Sequence, residues 1–489
     1  MGDRWSWRWQ WIGGSAGPRA LVRLRLWLTP PRWLVGSFLV LILLGTLGLR
    51  LVPAFSTGDP LGWLDALFTA TSAVCVTGLI VEDTATFFTP LGQGFLLLLI
   101  QLGGLGMLTF ATRVILALGG RLPLNHEAAV TAARDVAPEI ESRHLIRDVV
   151  RFTLVFEGAG AVVLFLLFLP HFPVGEALWH GVFHAVSAFC NAGFSTFSDS
   201  LVGFAEAPLV LSTVMLLIIV GGLGFLTMTE ITLWWRRRER KRWRRWRRPR
   251  RGPRRRVHLS IHSRLVLAVT AALLVGGAIA FATLEWWGTL ARMPALDKGV
   301  NALFMSVTAR TAGFNTVDYG ATREASSFLT ILLMSIGGSP GSTAGGLKTT
   351  TVAVIGLLAW SRFRGRTMTS IWHRTLPEET AQRAVGLFVL AFGLVTVAIF
   401  LLTWTESPGA VAERGSRFLS HMFEAVSAFN TVGLSQGVTG ELSVAGRWLT
   451  IFLMFVGRVG LLAFAAAIAL KEPAMSSKVR FAYERVVIG

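Results

Sequence analysis

The chain has 489 residues, of which 53% are hydrophobic and only 15% charged, with a formal net charge of +19 and a mean hydropathy of +0.57. Soluble domains are roughly a quarter charged, so a soluble enzyme is excluded and a multi-pass membrane protein is indicated. Its two cysteines, Cys75 and Cys190, both lie inside apolar sequence, which excludes a disulfide scaffold. They read as small packing residues, since no His or acidic cluster accompanies them at metal-ligand spacing.

From the N-terminus, Arg4, Arg8, Arg19, Arg23, Arg25 and Arg32 precede the first apolar run. The pattern imitates a signal peptide, but the long Trp-rich lead and the spans that follow favour a retained helix. Stretches near the ~20 residues that a crossing helix needs recur at 34–52, 91–118, 147–170, 206–235, 264–287, 325–360, 384–404 and 445–470. Between the members of each pair lies a shorter apolar segment, such as Leu61–Val74 or Ala177–Phe189, too short to cross and natural as a re-entrant helix. The expected fold is an all-α membrane protein of eight transmembrane helices in four helix, pore-loop, helix repeats around a pseudo-fourfold pore. The repeats are 34–118, 147–235, 264–360 and 384–470, joined by loops 119–146, 236–263 and 361–383, with terminal segments 1–33 and 471–489.

Cations set the expected topology. Residues Arg236 to Arg256 include 15 Lys or Arg and one Glu, and this run, the N-terminal segment and the group Arg362, Arg364, Arg366 and Arg374 all fall on one side, which the positive-inside rule makes cytoplasmic. Both termini are then cytoplasmic. Asp59, Glu82, Asp83, Asp199, Glu206 and Asp318 fall outside. The Arg-rich run reads as a loop held at anionic lipid headgroups; no nucleic-acid recognition fold accompanies it.

A short motif organises the chain: Cys75-Val76-Thr77-Gly78-Leu79, Cys190-Asn191-Ala192-Gly193-Phe194, Arg310-Thr311-Ala312-Gly313-Phe314 and Asn430-Thr431-Val432-Gly433-Leu434. The glycines are spaced 115, 120 and 120 residues apart. Glycine pairs follow each at similar distance, at Gly103-Gly104, Gly221-Gly222 and Gly337-Gly338, with Gly457-Arg458 in the fourth quarter. The approach Val186-Ser187-Ala188-Phe189 matches Val426-Ser427-Ala428-Phe429, whereas Val307-Thr308-Ala309 runs one residue short, so the third quarter is expected to differ locally.

Non-helical backbone at membrane depth survives only where it is buried or lines a water-filled path. Four re-entrant segments therefore imply a pore whose short helices point their carbonyl ends at a cation. Glycine permits the bend, and backbone oxygens then replace the ion's water. The residues before the glycines carry no ring of carboxylates, which suits a monovalent cation better than Mg²⁺, which dehydrates reluctantly.

On these segments the chain resembles the Trk/Ktr/HKT superfamily of potassium transporters, most nearly its KtrB-type membrane subunit, over about residues 33–489. The resemblance implies a selectivity filter for potassium at Val76, Thr77, Gly78, Asn191, Ala192, Gly193, Thr311, Ala312, Gly313, Thr431, Val432 and Gly433. It implies no cofactor in this chain; potassium is the substrate, and sodium is either coupled or activating. It also implies a homodimer docked on a cytosolic ring of nucleotide-binding regulatory subunits. Candidate docking surfaces are the loops around Arg121 to Arg147 and Arg362 to Arg383 and the tail Lys471 to Gly489.

The sixth span is interrupted by Gly337-Gly338-Ser339-Pro340-Gly341-Ser342-Thr343-Ala344-Gly345-Gly346, and proline costs a helix interior ~3 kcal/mol. It must be a loop lining the pore, and the resemblance makes it an intramembrane gate. Arg458 stands where the other quarters have glycine; a guanidinium at this depth needs a cavity or partner and is expected to face the gate loop, hydrogen-bond its carbonyls and oppose cations. Lys348 either joins that barrier or snorkels to the interface. Arg310 is expected to hold the pore-loop scaffold from behind, and Glu157 to have an intramembrane partner.

No catalytic constellation emerges, and Gly345-Gly346-Leu347-Lys348-Thr349 lacks the spacing of a phosphate-binding loop, so the chain reads as a non-enzyme. Two other functions remain open at this level: an alternating-access secondary cation transporter with broken helices, and a membrane-anchored protein that binds nucleic acid or lipid through the Arg-rich run.

Overall fold

A computed structural model describes residues 30–119, 145–235, 259–366, 368–372, 374–406, 414–461 and 463–464. The run Arg236 to Arg256, nearly all of loop 119–146, the tail 471–489 and the N-terminal segment up to residue 29 lie outside the described residues.

The described chain is helical, and one order of elements recurs. In the first quarter α1 (Pro30–Leu51) is followed by the short α2 (Trp63–Val74) and by α3 (Pro90–Gly119). The second comprises α4 (Leu145–Phe168), the short α5 (Val174–Cys190) and α6 (Pro208–Leu223), continued by α7 (Phe225–Trp235). The third has α8 (Ile261–Glu285), the short α9 (Ala295–Thr308), α10 (Glu324–Met334) and α11 (Thr349–Phe363). After a two-stranded hairpin of β1 (Ser370–Ile371) and β2 (Arg374–Thr375), the fourth has α12 (Glu378–Thr405), the short α13 (Arg414–Phe429) and α14 (Val444–Val459).

Local chemistry explains the helix starts. Pro208 occupies the first turn of α6, where its missing N–H costs nothing. Ser260 and Ser443 cap α8 and α14 by accepting from Ser263 N and Gly446 N. Asp65, Glu176 and Asp297 sit in the first turns of α2, α5 and α9, where a carboxylate complements the helix dipole.

Within the described residues, α1 from Arg32, α4 from Arg147, α8 and α12 are single helices long and apolar enough to cross a membrane. Their outward faces carry exposed Leu, Ile and Phe, including Leu43, Leu154, Ile279 and Phe392. The short helices are the buried ones: from Phe68 to Cys75 in α2 and its cap, every side chain is enclosed. Polarity is thus inverted relative to a soluble bundle, with lipid-compatible long helices outside and short helices at the centre.

The stretch 206–235, expected as one span, is instead broken at Gly224 (φ +80), with α6 and α7 at 103° to each other. The eighth bends at the matching place, Gly460 (φ +88). Only glycine adopts such angles at little cost. The sixth is α10 and α11 with the glycine-rich segment between them.

Candidate functional site

The four short helices all end alike. Beyond each, the residue two before the glycine is left-handed: Val76 (φ 55°), Asn191 (φ 60°), Thr311 (φ 71°) and Thr431 (φ 49°). The glycines Gly78, Gly193, Gly313 and Gly433 are also at positive φ, from 71° to 96°. A β-branched residue at positive φ is rare and strained, and such strain concentrates where surrounding structure over-determines the backbone for a purpose. Helix-end bonds hold it. Thr77 N, Ala192 N and Val432 N donate to the carbonyls of Ser72, Ser187 and Ser427, each at 2.8 Å, the long closing bond of a Schellman cap.

Hydroxyls of the approach residues fasten the extended part. Gly78 N and Gly433 N donate to Ser72 Oγ and Ser427 Oγ, both at 3.1 Å, and Ser187 Oγ donates to Phe194 O at 2.7 Å. The third quarter is one residue tighter: Ala312 N reaches back to Thr308 O at 3.0 Å, and the Thr308 hydroxyl donates to Phe314 O at 2.5 Å. Threonine thus does there what Ser187 does in the second quarter.

The four glycines meet in a closed ring. A Cβ added to Gly78 would lie 3.1 Å from Gly193 Cα, on Gly193 2.8 Å from Gly313 Cα, on Gly313 3.3 Å from Gly433 Cα, and on Gly433 3.0 Å from Gly78 Cα. Quarters 1 and 3 therefore face each other, as do 2 and 4. The intervening Thr77, Ala192, Ala312 and Val432 are buried. At the outer rim side-chain brackets join each neighbouring pair of quarters. Trp179 Nε1 donates to Gln93 Oε1 at 2.7 Å, Asn301 Nδ2 to Ala205 O at 2.7 Å, Gln436 Nε2 to Ser327 Oγ at 2.8 Å, and Arg447 pairs with Asp65.

Behind the ring, the glycines of the second helices allow backbone contact. A Cβ on Gly103, Gly221 or Gly457 would overlap the carbonyl oxygen of Val74, Phe189 or Phe429 respectively, the last turns of three short helices. Gly457→Ala is therefore expected to destabilise the protein by ~1–3 kcal/mol, the usual cost of overpacking. Gly393→Ala in α12, where nothing lies within 4 Å of the added Cβ, should be neutral or slightly stabilising. Thermal unfolding in detergent compares the two.

The segment Gly337 to Gly346 lies under the ring, tied to several quarters. Ser339 N and Thr343 N donate to Gly222 O at 3.1 Å and Gly221 O at 3.3 Å, and Thr343 Oγ1 donates to Phe189 O at 3.3 Å. Phe225 N donates to Gly341 O at 3.0 Å, so the break at Gly224 is where α7 turns to meet the loop. On the other flank Gly346 N donates to Gly457 O at 3.3 Å, and Leu347 N to Asn430 Oδ1 at 3.3 Å. Gly337, Gly338, Ser339, Ser342, Thr343, Ala344 and Gly345 are buried; Pro340, Gly341 and Gly346 are half-buried.

Three cations serve this loop. Arg458, 1% exposed, donates through Nη1 to Thr343 O and through Nη2 to Gly103 O at 3.0 Å. Lys348 turns inward, its Nζ donating to Ala344 O at 2.6 Å, rather than reaching away from the loop. Arg310 donates to Gly337 O at 3.1 Å and Thr349 Oγ1 at 3.0 Å, anchoring the loop's base. All five bonds are charge-assisted, roughly twice as strong as neutral ones.

No sequence pattern announces what surrounds Glu157. Gln101 Nε2 donates to its Oε2 at 3.1 Å, and the Cys190 thiol lies 3.7 Å from Oε1 and 3.4 Å from Gln101 Oε1. Cys190 is therefore a polar contact as well as a packing residue. The brackets at Trp179, Asn301 and Arg447 were equally hidden, because partners in different quarters share no spacing.

The sequence model of the TrkH family, described as cation transport protein, matches residues 33–478. The potassium/sodium uptake protein NtpJ of Enterococcus hirae is 35% identical over 469 residues, covering 96% of this chain and 99% of that protein. The Ktr system potassium uptake protein B of Bacillus subtilis is 36% identical, covering 94% and 97%. Among solved structures, the potassium transporter TrkH from Vibrio parahaemolyticus shares the fold at a TM-score of 0.67 and 17% identity, covering 89% of this chain and 83% of that one. With a ring of four glycines above a glycine-rich loop, and relatives of this length and likeness, the chain belongs to the TrkH family of cation transport proteins.

Proposed function

We propose that this chain carries potassium across the cell membrane, as the ion-conducting subunit of a Ktr/Trk-type uptake system. The observation that carries the reading is the closed ring of Gly78, Gly193, Gly313 and Gly433 at the ends of four short helices. On this reading the quarters form eight transmembrane segments around a pseudo-fourfold pore, with both termini cytoplasmic. Carbonyls of Val76 to Gly78, Asn191 to Gly193, Thr311 to Gly313 and Thr431 to Gly433 replace the water of a potassium ion. No carboxylate stands in these segments, so discrimination comes from backbone oxygens held at fixed width.

The segment Gly337 to Gly346 is the gate. It closes the path below the ring, and Arg458 and Lys348 both latch it and place positive charge beside the path, where charge opposes cation entry. Opening requires the loop to leave its bonds to Gly221, Gly222 and Arg458 together. The names of the Ktr relatives support a multi-component system, and we infer a homodimer, each copy with its own pore, controlled by a cytosolic nucleotide-binding ring. Sodium enters as a coupled or activating ion.

A single axial ring made by four units favours a pore over an alternating-access carrier, whose sites lie between two related halves. Potassium-limited growth of an uptake-deficient bacterium is the direct test: this chain, expressed with its regulatory partner, is expected to restore growth. Deleting 236–256 should leave uptake intact; loss of uptake at normal membrane levels would move the function to the Arg-rich run. No rescue under any ionic condition would end the potassium reading.

A further inference from the structure

Facing quarters 2 and 4 share an arrangement that quarters 1 and 3 lack. His184 and Glu424 each stand nine residues before the ring glycine, and Ser195 and Ser435 each two residues after it. Both ionisable side chains are completely buried, at 0% exposure. His184 Nδ1 faces His180 O at 2.8 Å; a carbonyl only accepts, so Nδ1 carries the proton. In the neutral ring, Nε2 then accepts from Ser195 Oγ at 2.9 Å. Glu424 accepts from Ser435 Oγ at 2.9 Å and from Thr439 Oγ1 at 2.5 Å. Each serine also receives a backbone N–H two residues on, from Phe197 at 3.0 Å and Gly437 at 3.1 Å.

The corresponding residues elsewhere make no such pair. In quarter 1 they are Thr69, whose hydroxyl has no partner among the described residues, and Ile80, which is exposed. In quarter 3 they are Phe304 and Asn315, and the Asn315 amide bonds to Val317 O at 3.3 Å. Burying an ionisable group is costly unless it is hydrogen-bonded, so these two pairs need a return that a Thr or Phe in the same place does not supply.

We propose that His184–Ser195 and Glu424–Ser435 are positioning pairs: they pin the outer ends of two facing filter segments to their helices and so fix the width at which carbonyls meet the ion. This rests on the conduction reading. A segment free to move inward accommodates the smaller sodium ion; a pinned one does not. Their serine partners stand two residues beyond the ring glycines, and neither side chain is assigned a contact with the ion.

The test measures potassium and sodium fluxes into proteoliposomes that hold the chain together with its regulatory partner, for Ser195→Ala/Ser435→Ala. The potassium-to-sodium ratio is expected to fall roughly tenfold, the factor equivalent to ~1.4 kcal/mol. It should recover in Ser195→Thr/Ser435→Thr, which restores both hydroxyls, and stay at the parental value in Thr69→Val. A parental ratio in the double alanine variant overturns the proposal, as does an equal fall in Thr69→Val. If the double variant is aggregated by size exclusion, the single alanine variants are read in its place, each expected to lose part of the ratio. An unsubstituted chain that passes no potassium counts instead against the conduction reading.

Discussion

Replacing Gly313 by serine is expected to abolish growth on limiting potassium and to cut potassium flux by two orders of magnitude or more. Two penalties coincide there. At φ 82° an L-residue is strained by ~1–2 kcal/mol. The new Cβ would also lie 2.6 Å from Val432 O and 2.9 Å from Gly193 Cα, and both neighbours are backbone, which cannot rotate away. The clash therefore moves the very segments proposed to present oxygen to the ion. The same substitution at Gly78, Gly193 and Gly433 should behave alike, because each meets its neighbour's main chain. Gly437 separates the two penalties: it has φ 90° but nothing within 4 Å of an added Cβ. Gly437→Ser should retain most transport. Parental growth in two or more of the four ring variants would remove the shared filter.

The second large effect is expected at the proposed gate. Arg458→Ala strips the Thr343 and Gly103 carbonyls of a charged donor. A hydrogen bond to a charged group contributes ~1.5–3 kcal/mol, and each 1.4 kcal/mol is about a factor of ten. The loop should be released about ten- to a hundredfold more often, giving a potassium leak into proteoliposomes that hold no regulatory partner. Arg458→Lys should be intermediate, since an ammonium does not reproduce the two-pronged guanidinium geometry. Deleting residues 338–344 should leak at least as much. Unchanged flux in both the alanine variant and the deletion would separate this loop from gating.

How much of this was legible in the sequence depends on whether a feature repeats. The ring glycines could be found because one motif returns four times at near-constant spacing, and the short third quarter was visible as a missing residue after Ala309. The loop from Gly337 was legible because proline and clustered glycine forbid a helix. The breaks at Gly224 and Gly460 were not, since the apolar sequence around each suits one straight span; at Gly224 it is the arriving loop that demands the bend. The inward turn of Lys348 was undecidable for the same reason: whether an ammonium finds a carbonyl or the interface depends on a neighbour brought by the fold. Pairs such as Gln101 with Glu157 join different helices, so no local pattern announces them.

The loop between α10 and α11 bonds to residues of the second and fourth quarters and, through Arg458, shares a donor with Gly103 of the first. A barrel of four identical subunits could not be closed this way. Four copies of the loop would compete for one axial space, and four arginines would crowd around it. Encoding all the staves in a single polypeptide frees each from its siblings' constraints, so one stave can supply the plug and another its lock. On the proposed gating, stoichiometry thus becomes a design variable: one latch, released once, governs the whole conduit.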